Sequence, residues 1–505
     1  MASNKEIKIV KVSIWNLTVG HLYWDERKDI GYFSYDKDFL KNGYEVSPLD
    51  HPLSDPSSRL AFRGLKDKPY NGLPPFLADS LPDDWGNLVF QVAGPKASMT
   101  KLERLSYIGK RGMGAFEFEP ASPEGIKDSI VEIKALKELS DRIYKERLAA
   151  VIKPDEELTK ERLRSIGTSA GGRMPKAIIA IDKKGEIRSG QVDNPERFRY
   201  CILKFQTPDH PYSCRIEMAY HRMAVAAGIN MAHCEILPLE GEYHFLTDRF
   251  DRCGNEKIHT QTLAAIAPGV TSYEELFQTC RRLELPYSQL EQLFKRMVFN
   301  VFACNTDDHI KNHSFLLRKG GQWELSPAYD LTFTLDLSDL AIHNTRCLSI
   351  RNKYYDITED DLIAFAREQG IKEPVKLIDK TARAICSFYD FAVAEGVSDY
   401  WIETIEREIS KVVPERYSEL LNIHQATTCP EYTDSYGHVI RDITLEETIS
   451  HDIKLSATID GKPMRHILGH KKAETKALLE NGCKTLPTET IKELVDKYLI
   501  PKLQN

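Results

Sequence analysis

Hydrophobic positions along this chain change their period several times, and each change marks a segment. Between residues 8 and 48, apolar and aromatic residues alternate with polar ones in IVKVSIWNLTVGHLYW and DIGYFSYDKDFLKNGYEVSPL, interrupted by Asp, Asn and Gly. A period of two rich in β-branched and aromatic residues predicts strands. The next stretch, LKDKPYNGLPPFLADSLPDDWGNLVF, is punctuated by Pro and Gly and leads into a helix after Ser80 or Asp83. YIGKRGMGAFEFEP then reads as a glycine turn and a short strand. In IKDSIVEIKALKELSDRIYKERL, Ile130, Ile133, Leu136 and Leu139 recur at helical spacing, which predicts a connector helix packed on the first domain.

From residue 165 the texture changes. SIGTSAGGRMPKAIIAID is a small-residue loop feeding an apolar strand, GEIRSGQV a turn and strand, and YCILKFQ a short strand with one lysine inside it. RIEMAYHRMAVAAGI predicts a helix ended by Gly228, and CEILPLEGEYHFLTDRFDR a hairpin about Glu240-Gly241. Residues 165–252 thus read as a mostly antiparallel sheet with one helix. Residues 270–425 are mainly helical, and their strongest periodic run, YSQLEQLFKRMVFNVFACNT, leads into a hairpin of HSFLLRK and QWELSPAYDL about Gly320-Gly321. Beyond 426 come strands, a basic segment, and a closing helix with Ile491, Leu494, Val495, Tyr498 and Leu499 on one face. The basic positions Lys462, Arg465, His466, Lys471 and Lys472 read as a solvated face, too short a run to imply nucleic acid.

Composition narrows the class without changing this outline. The chain has 505 residues, 42% hydrophobic and 28% charged, as expected of a soluble protein of several domains. A net charge of −7 argues against a chain that grips nucleic acid by itself. Ten cysteines, none in Cys-x-x-Cys and none before residue 201, predict reduced thiols rather than a disulfide framework. The first residues show no apolar leader core, and no run of about 18 apolar residues follows. These features predict a cytoplasmic protein.

The densest chemistry lies in CNTDDHIKNHSFL, residues 304–316. His309 and His313 stand four apart, a zinc spacing on a helix, but no glutamate follows His309 and SFLL reads as a strand. The alternative is phosphoryl transfer. Asp307 and Asn312 form D-x-x-x-x-N, the interval of a kinase catalytic loop, and Asp330 follows just past the Gly320-Gly321 hairpin. Asn312 and Asp330 offer hard oxygens for Mg²⁺, and Lys311 or His309 can offset phosphate charge. Upstream, Thr168, Ser169, Ala170, Gly171 and Gly172 form a loop whose backbone can approach phosphates. Lys204 is a strand lysine that burial would penalise unless an anion pairs with it, and Glu217 on the next helix is a candidate partner. FLTDRFDR, with Asp248, Arg249 and Phe250, stands where a hinge would meet adenine. The order of these parts is the signal: loop, strand lysine, helix glutamate, hinge, helix, D-x-x-x-x-N, hairpin, aspartate.

GTSAGGRMPKA, ILKF, RFDR, NTDDHIKNHSFL and SPAYDL resemble the HipA-like serine/threonine-protein kinases, toxins of bacterial type II toxin–antitoxin modules. GYFSYDKDFL, FLADSLPDDWG and GMGAFEFEP resemble that family's N-terminal subdomain. The resemblance implies an α+β, two-lobed protein-kinase-like fold: a β-rich N-terminal subdomain (1–125), a connector helix and N-lobe with a Gly-rich loop (126–252), a helical C-lobe with the catalytic loop (253–425), and an α/β C-terminal extension (426–505). It implies ATP and Mg²⁺ as cofactors, Asp307 as base, Asn312 and Asp330 as the metal pair, and Lys204 on the phosphates. The backbone of Asp248–Phe250 would be the hinge, and Ser169 or Thr168 the site of autophosphorylation. Implied partners are a cytosolic protein substrate of the aminoacyl-tRNA synthetase class and a helix-turn-helix antitoxin that supplies most DNA contact, with no membrane. The competing expectation is a catalytically silent nucleotide-binding co-repressor acting with such a DNA-binding partner.

Overall fold

Alternation in the first residues becomes a sheet. The computed structural model describes residues 7–82, 84–93, 99–121, 133–147, 174–190, 198–254, 256–335 and 345–421, and then 427–429, 432–434, 437–447, 453–460, 462–468 and 488–503. Strands β1 (Ile9–Ile14), β2 (Leu17–Asp25), β3 (Ile30–Tyr35), β4 (Phe62–Arg63) and β5 (Phe116–Glu119) pair antiparallel in the order β4-β3-β2-β1-β5. Trp15 and Asn16 both adopt positive φ (48° and 67°), the two-residue turn that suits the twist of a hairpin. Val10, Val12, Ile14, Leu22 and Phe33 are fully buried, so the period of two places one face inside.

The second sheet joins β6 (Lys176–Asp182), β7 (Ile187–Ser189), β8 (Phe198–Lys204), β9 (Cys234–Leu239) and β10 (Glu242–Asp248) in the order β7-β6-β8-β10-β9. The turn of the β9–β10 hairpin is Glu240-Gly241, with φ of 49° and 86°. Helix Ser213–Ala227 stops at Gly228, whose left-handed φ of 80° lets its N–H reach the carbonyls of Ala224 and Val225. Cys214 and Met218 of this helix pack on Cys234 and Phe245, covering one face of the sheet. The other face (Ala177, Ile179, Cys201, Leu203 and Leu246) is covered by Trp85 and Val89 of helix Asp84–Ala93 and by Ile133, Leu136 and Leu139. Those last three lie on helix Ile133–Arg147, the connector predicted from its period. Its apolar stripe packs on Trp85 and Val89 of the first domain, as expected, and with them seals the second sheet. Strands β6, β8 and β10 present a large apolar face that a periodic stripe alone could not reveal.

The helical half is built on helix Tyr287–Phe302, in which Leu293, Phe294, Met297, Val298, Phe299 and Phe302 are fully buried. A small sheet joins His259–Thr262, which precedes it, to Ser314–Leu317 and Trp323–Leu325, which follow it. Asp79 of the N-terminal segment accepts hydrogen bonds from Thr262 N (2.6 Å) and Oγ1 (2.9 Å), and Tyr70 donates to the Ala264 carbonyl at 3.0 Å. The first subdomain is thus stitched to the helical half at the start of helix Leu263–Ile266.

The chain divides into two compact units, Met1–Ile385 and Cys386–Asn505. In the second, helices Phe388–Ala394 and Asp399–Val412 precede an antiparallel sheet of Thr427–Cys429, Val439–Glu447, Ile453–Ile459 and Lys462–Leu468. Leu494 and Val495 of the closing helix Thr488–Tyr498, with Leu499 just beyond it, pack on Ile440, Ile443, Leu455 and Ile459, so its apolar face is core. Lys462 and Arg465 are exposed, while Lys471 and Lys472 lie outside the described residues. The eight cysteines from Cys201 to Cys386 are free thiols, and among the described residues no helix is long and apolar enough to cross a membrane.

Burial of two histidines has a measurable consequence. His259 and His313 are almost fully buried, and desolvation of the imidazolium pulls each down to about 3. The unfolded chain binds these protons below about pH 6.5 while the native state does not, so stability is complete above that pH and falls as pH drops. Each removes roughly 1.4 kcal/mol of stability per pH unit below about 6.5. Melting temperature measured against pH should therefore begin to fall near pH 6, well above the titration of ordinary carboxylates. A Tm unchanged between pH 7 and 5 would contradict this.

Candidate functional site

The site begins where the long helix stops. Cys304, two residues past Phe302, takes a left-handed φ of 55° and turns the chain into the loop that carries the Asp-Asp doublet. The two aspartates then diverge. Asp308 has no exposed side-chain surface, and its carboxylate accepts four hydrogen bonds: Tyr273 Oη (2.9 Å), Arg346 Nη1 (2.8 Å), Cys347 N (2.9 Å) and Leu348 N (3.3 Å). Asp307 keeps 56% of its side chain exposed, 3.7 Å from His309 Nε2. A carboxylate that must meet an incoming hydroxyl has to be reachable, and Asp307 is. Asp308 is a structural anchor.

The remainder of the loop holds Asp307 in place. Asn312 Nδ2 donates to the Asp307 carbonyl at 2.7 Å, closing the D-x-x-x-x-N interval and leaving Asn312 Oδ1 as an acceptor. His309 Nδ1 accepts from the Lys311 N–H at 3.2 Å, and Tyr329 donates to the Lys311 carbonyl at 2.6 Å. Tyr329 also meets Ser314 Oγ at 2.5 Å, so the residue before Asp330 is bolted to the strand after the loop. Asp330 itself has a left-handed φ of 57°, costly for a non-glycine residue and found where a side chain must be aimed.

Lys204, at the end of β8, joins the two halves. Its Nζ donates to Glu217 Oε1 at 2.5 Å and also to Asp330 Oδ1. Burial alone would lower the lysine's pKa, but the charges of Asp330 and Glu217 outweigh it and the net shift is upward. Lys204 in turn holds the Asp330 carboxyl down at about 2, whereas desolvation pushes Glu217 up. A cation is thereby held ready at the one carboxylate that, with Asn312 Oδ1, offers hard oxygens to a divalent metal. The zinc alternative fails on placement. His313 is buried and directly precedes strand Ser314–Leu317, and among the described residues no three His, Cys, Asp or Glu side chains cluster to hold a metal.

The hinge segment is anchored rather than open. Arg249 N donates to the Tyr200 carbonyl (2.8 Å) and Asp248 N to the His233 carbonyl (2.9 Å). The Arg249 guanidinium is buried on Asp251 through Nε (2.9 Å) and Nη2 (2.8 Å), so its side chain holds the hinge and is not directed to a ligand. Asp251 also accepts from Gly114 N at 2.7 Å and from Arg252 Nη1 at 2.7 Å, tying the RFDR and GMG motifs together. Burial would raise the Asp251 pKa, but Arg249 and Arg252 hold it well below the usual carboxylate range. The Phe250 ring lies 5.7 Å from that of Tyr329. Thr168, Ser169, Ala170, Gly171 and Gly172 lie outside the described residues.

Sequence reasoning missed the Asp308 clasp. Arg346 lies 38 residues away, and only the Asp-Asp doublet hinted that one carboxylate served another purpose. Asp308→Ala should cost about 3 kcal/mol, because it leaves a buried guanidinium and two backbone N–H groups unpaired. Urea unfolding measures this, and a midpoint within experimental scatter of the wild type would contradict the anchoring role.

Comparison with known proteins identifies the family of both domains. The HipA N-terminal domain family matches residues 10–119, and the HipA-like C-terminal domain family matches residues 168–388. The chain is 25% identical over 413 residues to a protein of Sinorhizobium fredii named as a candidate kinase, Y4mE, covering 76% of this chain and 92% of the relative. It is 23% identical over 359 residues to the serine/threonine-protein kinase toxin HipA of Shewanella oneidensis, covering 64% of this chain and 74% of the relative. The Shewanella HipA structure, solved with HipB and operator DNA, superposes with a TM-score of 0.57 at 17% identity, over 80% of this chain and 95% of that one. The shared fold is α+β and kinase-like, as the resemblance implied.

Proposed function

This chain belongs to the HipA family of kinases, whose two domains it carries in order, and from that premise we propose that it is an ATP- and Mg²⁺-dependent serine/threonine-protein kinase. The observation that carries the reading is the Lys204 ammonium bridging Glu217 and Asp330, beside an exposed Asp307 whose carbonyl is clasped by Asn312. Asp307 accepts the proton of the acceptor hydroxyl as its oxygen bonds the γ-phosphorus and the bond to the bridging oxygen breaks, releasing ADP. Bound Mg²⁺ supplies neutralisation of phosphate charge, and the Asp330 carboxylate and Asn312 Oδ1 are the groups that would hold it. Lys204, steadied by Glu217, presents a second fixed cation to the phosphates. Lys311, on the same loop, adds positive charge around Asp307, and the His309 ring lies 3.7 Å from the Asp307 carboxylate.

The further parts of the reading follow from the family. The Gly-rich loop covers the nucleotide and takes phosphate on Ser169 or Thr168. The acceptor is a cytoplasmic protein of the translation apparatus, of the aminoacyl-tRNA synthetase class, and the chain acts as the toxin of a toxin–antitoxin pair. Its helix-turn-helix antitoxin makes most of the DNA contact, in keeping with the net charge of −7.

The test is nucleotide binding with and without metal. ATP should raise the melting temperature strongly with Mg²⁺ present and weakly with EDTA. Asp330→Asn should remove the difference while still folding. Equal responses in Mg²⁺ and EDTA for the wild type would refute the metal assignment.

A further inference from the structure

A cavity of about 390 Å³ opens beside Phe250 of the expected hinge. Its walls include Phe250, Arg252, Gln292, Arg296, Leu316 and Arg318, and none of Lys204, Glu217, Asp307, Asn312 or Asp330 lines it. Three arginines line the cavity, of which Arg252 is paired with Asp251 at 2.7 Å and Arg318 with Glu324 at 2.6 Å, leaving Arg296.

Arg296 is the unusual member. It is only 3% exposed, yet among the described residues no carboxylate pairs with it. Its Nη2 donates to the Ser326 carbonyl at 2.5 Å, and its buried Nε has no hydrogen-bond partner. Burial without a compensating acid lowers even this guanidinium to about 10. An isolated buried charge is strongly destabilising unless something pairs with it. We propose that the cavity binds a small organic oxyanion, a phosphate or carboxylate on a compact apolar body, with Arg296 as the deep anchor and Arg318 at the exposed rim. Phe250, Leu316 and Leu325 supply apolar wall for that body, and the volume suits a small metabolite. The assignment does not depend on phosphoryl transfer.

The experiment is thermal unfolding of the full chain in pyrophosphate or in citrate, against sodium chloride of equal ionic strength. One of the two should raise Tm by about 2–4 °C at saturation, and which one does so distinguishes phosphate from carboxylate. Arg296→Met should abolish that response while melting no lower than the wild type in chloride, because it removes an uncompensated charge. Arg318→Ala, at an exposed position, should fold normally and weaken the response about tenfold in probe concentration, and it decides the matter if Arg296→Met does not fold. Lys204→Met should keep the response. A response unchanged in both arginine variants, lost in Lys204→Met, or absent from the wild type with both probes would overturn the assignment.

Discussion

Asp307→Asn should lower the rate of phosphoryl transfer about 10²–10⁴-fold while leaving ATP affinity within about threefold, the pattern of a lost general base. The expectation rests on position. The Asp307 side chain is more than half exposed, outside the buried Lys204 cluster that would hold the nucleotide. Its backbone carbonyl, which keeps Asn312 in register, is unchanged by the substitution. Stability should also change little, since Asp308, not Asp307, anchors the loop to Arg346. Single-turnover rates and equilibrium nucleotide titration separate the two effects. Loss of affinity in proportion to rate would assign Asp307 to binding instead.

Lys204→Met should be the most damaging change in stability. It leaves Glu217 and Asp330 facing one another without the ammonium between them, where their side chains are only 12% and 37% exposed. Removing one member of such a cluster costs about 3–5 kcal/mol. The pH dependence gives the result its sign. In the wild type, Lys204 holds Asp330 at about 2, below its unfolded value of 3.8. That stabilisation is complete above the unfolded pKa and is lost only as pH falls towards 2. In the variant both carboxyls are pushed up, so their protonation on acidification relieves the repulsion. The deficit in Tm relative to the wild type should therefore be large at pH 7.5 and shrink towards pH 5. A constant deficit across that range would mean that the lysine acts by packing alone. ATP binding should be lost at every pH.

Local features were legible in the sequence because their causes are local. The Glu240-Gly241 turn, the stop at Gly228 and the run from Tyr287 to Phe302 each depend on residues within a few positions. The pairing of Lys204 with Glu217 was legible too, since the strand–helix connection leaves a buried lysine few anions to meet. Asp330 reaches the same lysine across 126 positions, and only the order of motifs suggested it. Long-range choices among equals were not legible. Nothing local said that the stripe Ile133, Leu136, Leu139 would cover the second sheet, because any exposed apolar face would satisfy it. Nor could spacing say that Asp308 would turn inward to Arg346, or that Arg249 would be consumed by Asp251 two residues on. For Asp308 and Arg249, the partner of a buried charge depends on which groups the fold brings alongside it.

The central claim is that this chain moves a phosphoryl group from ATP to protein. Full-length protein incubated with γ-labelled ATP, Mg²⁺ and bacterial cell extract tests it most directly, with label read on acid-precipitated protein. Label on Ser169 or Thr168 and on an extract protein, both lost in Asp307→Ala, is the predicted result. ATP binding without transfer to any protein, or transfer unaffected by Asp307→Ala, would contradict it.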